Sequence, residues 1–535
     1  MTASVPVYAS CDGGLILNLN KFELLKRPGA AVRLRNFEPA LKGGYRRING
    51  YAKIGGVSST RPAGDTEILG IHPYALGYVV CAGTNVYYTE DGITWIQVNK
   101  DTGEAGDIEA NLSGLSTLGR TNQAQAYFTL ITGTVDHATN PYGVLYIATK
   151  NNPLVHFHID GTGAGRTFTY VEVSSPMSKA ELIENFDHHL CVVDTVQDPN
   201  KIYYSATDDY DDYTGVGSGY VRLAERIVGL KSFRDALYIF CENSVHRLVN
   251  INDKPNLVVE PVLGNLGCVN GQTIQEVGGD VIFLAPDGLR TIGATMRIGD
   301  VELSSVSRQI QPLIESVITN NNDYTISSCV IREKNQYRLF YIDSVGSGNG
   351  FIGTLKLNEM GYPVYQWSEI RNIPVQSISS YFNEDGVETI VHGGPTGYVY
   401  FHDTGNNFDG SEIEAEYKTP DIDFGDLGMR KTLHYINASI ENEGAVNMTL
   451  TVRYDFESPS TPQPPVFTIT KTAAPARYGS ATYDNAAYGS TQEPLDRVPI
   501  QGSGHSVSYK FYTNNTNPPY IIHGFHTEIF PSGRK

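Results

Sequence analysis

Short hydrophobic stretches alternate with turn-forming residues along most of the chain. In residues 236–249, the aromatic and β-branched run ALYIFC is followed by the turn sequence ENS and a second run, VHRLV. This order is typical of a β-hairpin. The same order returns in residues 281–292, where the turn sequence PDG separates two hydrophobic runs. The chain is therefore predicted to build its sheets from consecutive hairpins.

Hairpin patterns of this kind recur between residues 70 and 405 about every 45 to 65 residues, a spacing typical of propeller blades and other repeated units. The recognisable hairpins occupy residues 78–98, 144–159, 190–206, 237–249, 281–292, 337–370 and 389–402. Sheets repeated around an axis form a β-propeller, which leaves only short, protected edges. The prediction is an all-β fold with a propeller of about six to eight blades.

The residues on either side of the propeller are predicted to form two further parts. Residues 1–69 form a basic N-terminal arm with the first strands, which contacts a neighbouring protein and closes the propeller. Residues 406–535 show hydrophobic runs typical of a C-terminal β-sandwich-like domain with long Pro-, Tyr- and Gly-rich loops. One of these loops repeats the sequence Tyr-Gly-Ser at 478–480 and 488–490, which predicts an exposed contact loop.

Only two short helices are predicted. They occupy residues 226–230 and 310–319, and in the second segment hydrophobic residues recur at helical spacing.

The balance of charge narrows the classes of function. The 535 residues carry 40 basic and 58 acidic side chains, a formal net charge of -18. Such a protein repels polyanions, which argues against wrapping nucleic acid or binding an anionic membrane surface. No hydrophobic run approaches the roughly 18 residues of a membrane span. The first residues resemble no secretory signal, so we expect assembly in a cytoplasm.

No cofactor or metal site is predicted. The six cysteines are scattered without a Cys-x-x-Cys pair, and we expect them to be reduced and mostly buried. The acidic run at residues 208–212 is a possible calcium loop, but it lacks suitable residues at Tyr213 and Thr214, which favours an exposed turn. His156 and His158 share one strand face without a third metal ligand at a readable spacing.

Basic residues cluster in the N-terminal arm of this acidic protein. Arg33, Arg35, Tyr45, Arg46 and Arg47 are the candidate assembly contacts, because a local cluster of positive charge suits an acidic neighbour. On charge alone, a solvated basic face explains the cluster equally well.

Residues 87–95 (YYTEDGITW) resemble an Asp-box, a hairpin turn found in many propeller blades. In such a turn Asp91 accepts hydrogen bonds from backbone N–H groups, Gly92 follows it, and Trp95 packs beneath. The spacing lacks one residue of the common form. Asp-boxes occur in sialidases and in propellers without catalytic activity, so we interpret this segment as a structural turn.

No motif predicts catalysis. The sequence contains no Gly-x-Ser-x-Gly elbow, no phosphate-binding loop ending in Gly-Lys-Ser or Gly-Lys-Thr, and no His-Glu-x-x-His. The chain is therefore not predicted to be an enzyme.

Six segments, in order along the chain, resemble tail nozzle or tail-stabilisation proteins of bacteriophages. They are residues 28–51 (PGAAVRLRNFEPALKGGYRRINGY), 202–223 (IYYSATDDYDDYTGVGSGYVRL), 233–248 (FRDALYIFCENSVHRL), 263–270 (LGNLGCVN), 281–292 (VIFLAPDGLRTI) and 417–436, with YKTPDIDFGD and RKTLHYI. No single segment is specific, but their order covers most of the chain.

This resemblance implies a virion structural protein without catalytic residues. It implies a ring of copies, six in that family, on the tail axis below the portal and the head-to-tail adaptor. The ring extends and gates the channel through which double-stranded DNA is ejected. The expected partners are other copies, the adaptor and other tail proteins, the expected place is the virion tail, and assembly occurs in the host bacterial cytoplasm.

Two other classes of function stay open at the level of sequence. One is a glycan-cleaving propeller, which needs arginines around a substrate carboxylate together with an acid and a nucleophile. The other is a glycan-binding, receptor-recognising tail protein, for which the 34 tyrosines are suitable contact residues. Tyrosine equally suits strands and subunit interfaces.

Overall fold

Regular structure in this chain is almost entirely β-strand. The computed structural model describes residues 5–534 except 63, 65, 84, 99–124, 133–141, 151, 162–165, 174–175, 178, 294–304, 344, 358–359 and 472–494. The predicted contact loop with the two Tyr-Gly-Ser sequences lies outside the described residues. None of the described helices is long and apolar enough to span a membrane.

The first part of the chain contributes five short strands and one helical turn. These elements are β1 (Val5–Ser10), α1 (Lys21–Leu24), β2 (Arg33–Arg35), β3 (Phe37–Pro39), β4 (Tyr45–Arg47) and β5 (Tyr51–Lys53).

Consecutive antiparallel strands then form seven sheet units. The first four units are β6 (Ile68–Tyr74), β7 (Gly77–Ala82), β8 (Asn85–Thr89) and β9 (Ile96–Gln97); β10 (Ala126–Ile131), β11 (Val144–Thr149), β12 (Val155–Asp160) and β13 (Thr167–Glu172); β14 (Leu182–Phe186), β15 (His189–Val193), β16 (Lys201–Tyr204) and β17 (Gly219–Arg222); and β18 (Ile227–Phe233), β19 (Ala236–Cys241), β20 (Val245–Val249) and β21 (Val258–Leu263).

The other three units are β22 (Gln275–Val277), β23 (Asp280–Ala285) and β24 (Gly288–Thr291); β25 (Thr325–Ile331), β26 (Gln336–Ile342), β27 (Gly348–Leu357) and β28 (Pro363–Arg371); and β29 (Ser377–Phe382), β30 (Glu388–Gly393) and β31 (Val399–His402). Helix α2 (Gln311–Thr319) precedes the sixth unit. Short 3-10 turns occur at Gly56–Ser58, Lys254–Asn256, Gly271–Thr273, Arg308–Ile310 and Asp455–Glu457.

These units are the blades of a β-propeller. Six of them are separate sheets of three or four strands, and the seventh, β25–β28, is one end of a larger sheet. Each of the seven predicted hairpins falls in a different unit, which confirms the predicted fold class. Hydrophobic clusters fill the spaces between neighbouring blades and continue around the ring.

The N-terminal arm completes the last blade. Strand β5 pairs antiparallel with β31 and supplies its fourth strand, with Ala52 opposite Phe401. The first blade then packs against the last through the cluster that includes Ile68 and Val399. Hydrogen bonds between the two ends of the propeller sequence therefore hold the ring shut.

The C-terminal residues form two large sheets that face each other. Their strands are β32 (Ile413–Lys418), β33 (Met429–Asn442), β34 (Val446–Tyr454), β35 (Phe467–Lys471), β36 (Asp496–Pro499), β37 (Ser503–Gly504), β38 (Val507–Asn515) and β39 (Tyr520–Arg534). One core lies between the sheets, where Leu433 and Ile436 of one sheet belong to the same cluster as Leu450 and Tyr509 of the other.

The sandwich is continuous with the propeller, which differs from the predicted division at residues 405 and 406. Strand β2 lies between β28 and β32, so one nine-stranded sheet runs from the sixth blade into the sandwich. Strands β1, β3 and β4 belong to the opposite, seven-stranded sheet. The N-terminal arm therefore contributes strands to both parts, because its short strands fill positions that sequence order alone does not reveal.

One of the two predicted helices is present. The prediction at residues 310–319 is confirmed by α2, which buries Ile314 and Val317. The prediction at residues 226–230 is wrong, because this segment begins strand β18 and pairs with β19. Pairing with the neighbouring strand has overridden the local preference.

The closing strand provides a test of how the ring is held. Tyr51 N donates to Asn407 O and Ile54 N to Val399 O, so strand alternation directs the Ala52 N–H towards β31. The side chain of Ala52 is exposed. Ala52→Pro removes this donor and with it one hydrogen bond of the β5–β31 ladder, at a cost of about 1 kcal/mol. We expect faster hydrogen exchange of the β31 amides, measured by mass spectrometry.

Ala52→Ser is the matched control, because it keeps the N–H and changes only an exposed side chain. Unchanged exchange of the β31 amides in Ala52→Pro would contradict closure by β5.

Candidate functional site

The Asp-box-like segment forms a tight turn between β8 and β9. Asp91 Oδ1 accepts hydrogen bonds from the backbone N–H groups of Ile93 and Thr94, each at 2.8 Å. These two hydrogen bonds lower the pKa of Asp91, and the bond from Thr94 has the larger effect. At Gly92, φ is +68° and a Cβ atom would lie 2.5 Å from Ile54 O, so a side chain does not fit. The turn therefore packs directly against the chain that follows β5.

Trp95 lies at the end of this turn and is half-buried. It packs against the cluster between the first and last blades, which contains Ile54 and Val399. Asp91, Gly92 and Trp95 thus lie at the junction where the propeller closes.

The five candidate assembly residues divide into a buried and a half-exposed group. Tyr45 is fully buried, where its hydroxyl accepts from Gly14 N at 3.0 Å and donates to Gly29 O at 2.9 Å. Arg47 is also fully buried, and its guanidinium donates to Asn515 Oδ1 at 3.0 Å and Asn406 O at 3.0 Å. Both side chains hold the arm against the rest of the chain, so the prediction that they touch a neighbouring protein is wrong.

Arg33 and Arg35 keep part of their surface exposed. The Arg33 guanidinium lies 3.4 Å from a Glu416 carboxylate oxygen, and the Arg35 guanidinium lies 3.0 Å from Glu369. Lys510 also contacts Glu416, at 3.2 Å. These arginines cross-link strands of the nine-stranded sheet, and a contact with a neighbouring protein stays a prediction for them.

Arg46 belongs to a buried network of charges at the junction of arm, propeller and sandwich. Its guanidinium contacts Glu38 at 3.1 Å and Glu443 at 2.9 Å. Glu38 also accepts hydrogen bonds from Lys334 and Arg338, each at 2.9 Å. The arm and the sixth blade therefore meet at the carboxylate of Glu38, and Arg46 connects this carboxylate to Glu443 of the sandwich.

Asp403 is the second carboxylate of this network. Lys334 lies 2.7 Å and Arg338 3.4 Å from its oxygens. Burial raises the pKa of Asp403, but the nearby Arg338 and Lys334 outweigh this effect and bring it to about 2. The same balance between burial and the neighbouring cations lowers the pKa of Glu38. Both groups are therefore ionised and paired at neutral pH.

The only sequence signal for this network is weak. Lys334 and Arg338 are basic residues in and beside the hydrophobic strand QYRLFYI, and Asp403 follows the strand VYFH. A charged residue in such a strand needs a buried partner. The sequence does not identify that partner, because Glu38 lies 300 positions from Arg338.

Other basic residues of the arm are exposed without an ionic partner. In the described part of the chain, Lys26, Arg27 and Lys42 are exposed and make no ion pair. Lys26 lines an open groove of about 620 Å³ together with the exposed ring of Phe22 and with Leu25. We call Phe22, Leu25, Lys26 and Arg27 the arm patch.

A small cavity of about 220 Å³ lies on the propeller axis and is lined by residues of all seven blades. Glu184 is the one carboxylate among its described lining residues, and it accepts a hydrogen bond from Lys231 Nζ at 3.0 Å. His72 stacks on Phe128, with ring centroids 5.5 Å apart, and burial lowers its pKa to about 4. Side chains therefore narrow the space on the axis to this small cavity.

The candidate metal ligands have other partners. His156 lies 3.2 Å from Asp211, His158 lies 3.2 Å from Asp160, and Asp212 Oδ1 caps a turn by accepting from two backbone N–H groups. Among the residues the structure describes, no group of three or more His, Cys, Asp or Glu is arranged to hold a metal ion. All six cysteines are buried, as predicted, and none of them lies in a disulfide.

Comparison with known proteins gives likeness only at the level of solved structures. No protein-family model and no curated protein matches the chain. An exo-β-1,3-galactanase from Phanerochaete chrysosporium is similar at 8% identity over 90% of this chain and 100% of its own, with a TM-score of 0.28. The AfRom2 CNH domain is similar at 9% identity over 65% of this chain and 99% of its own, with a TM-score of 0.31. Neither likeness assigns a function.

The charge network predicts a specific pH dependence. Because the pKa of Asp403 is depressed in the folded chain, its carboxylate stabilises the fold above its ordinary pKa of about 3.9. This contribution is lost as the pH falls from about 4 to about 2. The free energy of unfolding of the wild type should therefore fall more steeply over this interval than that of Asp403→Asn, by roughly 2 kcal/mol. Urea denaturation at a series of pH values measures the difference.

Asparagine suits this position because Asp403 has a φ of +58°, a conformation that asparagine tolerates. Asp385→Asn, at an exposed turn, is the control and should follow the wild-type slope. Parallel profiles for Asp403→Asn and the wild type would show that the pairing at Asp403 does not stabilise the fold.

Proposed function

We propose that this chain is a structural component of a bacteriophage tail. Several copies form a ring, or nozzle, on the tail axis below the portal and adaptor, and the ring extends and gates the channel for DNA ejection. The observation that carries this proposal is the ordered resemblance of six segments between residues 28 and 436 to tail nozzle proteins. The propeller joined to a β-sandwich is compatible with it.

The DNA channel of this proposal lies between copies of the chain. The axial cavity of about 220 Å³ holds only a handful of water molecules at about 30 Å³ each, so no duplex passes through the propeller itself. A ring of copies encloses a wider opening around a common axis. The net charge of -18 suits the wall of such an opening, because acidic side chains repel the phosphates and let the duplex slide.

The arm patch is the assembly contact that we propose for this ring. Neighbours in a ring meet through two different surfaces, one from each copy. Lys26 and Arg27 offer unpaired positive charge beside the exposed Phe22 ring within the described residues. An acidic surface of the next copy or of the adaptor is complementary to this combination.

The proposed role assigns no catalytic step to the axial cavity. Glycoside hydrolases commonly use two carboxyl groups that flank the scissile bond. The axial cavity offers Glu184 alone among its described lining residues, and Lys231 pairs with it.

Electron cryo-microscopy of the particle that contains this chain tests the proposal directly. We expect a closed ring of copies, six by the family resemblance, on the tail axis, with the propeller axes away from the central channel. A particle in which the chain lies off the axis, or from which it is absent, would exclude the nozzle role.

Reversing the charge of the arm patch tests the assembly contact. Lys26→Glu with Arg27→Glu places like charges against an acidic partner, and we expect the fraction of particles with a complete ring to fall at least about tenfold. The thermal stability of the isolated chain should be unchanged, because both side chains are exposed.

Arg222→Glu is the control, since Arg222 is equally exposed on an outer strand of the third blade and makes only a surface ion pair with Asp198. A normal yield of rings with the double variant would show that the arm patch is not part of the interface. Whether a ring forms at all is decided separately by the electron cryo-microscopy.

A further inference from the structure

A second cavity, of about 290 Å³, opens at the end of the propeller where the inner strands begin. We call it the face cavity. Residues of four neighbouring blades line it, and Tyr127 and Gly271 separate it from the axial cavity because they line both. Its volume lies at the lower end of the range for small-molecule sites.

Four charged side chains meet in the face cavity. Lys150 follows strand β11, Glu181 precedes β14, Arg226 precedes β18 and Glu242 follows β19, so each comes from a connection at the same end of the propeller. Glu181 is buried, and Thr195 Oγ1 donates a hydrogen bond to its carboxylate. Lys150 is half-buried, and Arg226 and Glu242 are exposed. Two cations therefore line one cavity together with two carboxylates.

The two cations are not neutralised by contact. Within the part of the chain that the structure describes, the side chains of Lys150 and Arg226 make no ion pair and no hydrogen bond. The network at Asp403, in contrast, brings its charges to 2.7–3.4 Å. A cluster that serves only stability is expected to show such contacts. Lys150 and Arg226 lack such contacts, so both side chains are available to a ligand.

The electrostatics of the cavity agree with this geometry. Burial raises the pKa of Glu181, and the hydrogen bond from Thr195 and the charges of Lys150 and Arg226 do not reverse this effect. Burial likewise lowers the pKa of Lys150. Each charged form is thus less stable here than in water, as is common at ligand sites. An anion placed between the two cations stabilises both of them.

Polar groups suited to hydroxyls surround the cations. The carboxylates of Glu181 and Glu242 are acceptors, and the amide of Asn322 offers a donor and an acceptor on the same wall. The amide oxygen of Asn321 already accepts a hydrogen bond from Asn270 at 3.0 Å. The cavity therefore presents positive charge for an acidic group and, beside it, acceptors for neutral donors.

We propose that the face cavity binds a small carboxylate that carries hydroxyl groups, of the uronic acid type. The carboxylate lies between Lys150 and Arg226, and the hydroxyls donate to Glu181 and Glu242. This site is independent of the proposed ring, because it belongs to a single propeller.

The test uses the full chain and three probes in isothermal titration calorimetry. D-Glucuronate carries both the carboxylate and the hydroxyls, D-glucose carries the hydroxyls alone, and acetate carries the carboxylate alone. We expect D-glucuronate to bind at least tenfold more tightly than either of the other probes. Equal affinity for acetate and D-glucuronate would overturn the role of the hydroxyls. Absence of D-glucuronate binding at millimolar concentration would overturn the site.

Variants locate the binding in the cavity. Lys150→Met and Arg226→Met each remove one charge-assisted contact, and we expect each to weaken D-glucuronate binding about tenfold or more. Arg234→Met is the matched control, since Arg234 lies in the turn at the opposite end of the same blade as Arg226. Wild-type affinity in both cavity variants, or an equal loss in Arg234→Met, would contradict the assignment.

Thermal unfolding separates binding from damage to the fold. Lys150 and Arg226 make no contact whose loss destabilises the chain, so both variants should melt near the wild-type temperature without ligand. D-Glucuronate should raise the melting temperature of the wild type and of Arg234→Met, but not that of the two cavity variants.

Discussion

The burial of Glu38 and Asp403 among cations from distant parts of the chain is the interaction on which the architecture depends. Taking a carboxylate out of water costs several kcal/mol, and only a well-placed positive partner offsets that cost. Here the partners include Arg46 of the arm and Lys334 and Arg338 of the sixth blade. Separation of the arm from the sixth blade would break these ion pairs. The network therefore stabilises the arrangement in which arm, propeller and sandwich are in contact.

The hydrogen-bonded strands act in the same direction. Strand β5 closes the ring of blades, and β2 joins the sixth blade to the sandwich in a single sheet. Both strands are only three residues long. Short strands contribute little by themselves, and their positions are fixed by buried anchors such as Tyr45 and Arg47. The anchors, the charges and the strands thus support one arrangement of the arm.

Local patterns were sufficient to predict the repeated hairpins, since their turns and hydrophobic runs lie within about 20 residues of each other in most units. The inner strands of the blades were harder to predict. Strand β18 follows good helix formers, and β22 is a three-residue strand with polar side chains near the axis, so neither has a strong local signature.

Charged residues were the least predictable part of the sites. Sequence shows that Arg47 is basic, but its partner Asn515 lies 468 positions away, and only the fold reveals that the pair is buried. The same limit applies to Lys150 and Arg226, which no motif links. Conversely, the role of Asp91 was interpretable from sequence because the backbone N–H groups that donate to its carboxylate lie within three residues of it.

The pairing of the two ends of the chain also affects how the protein is made. Glu38 leaves the ribosome 300 residues before Arg338, which at 5–20 residues per second is on the order of 15 to 60 seconds. During that time β2 and β5 lack their partner strands, and Glu38 lacks this cation. Contacts so distant in sequence slow folding, because a long loop must close before they form. The nascent arm must therefore remain soluble until translation of the sixth and last blades is complete, and its many basic residues help it to do so.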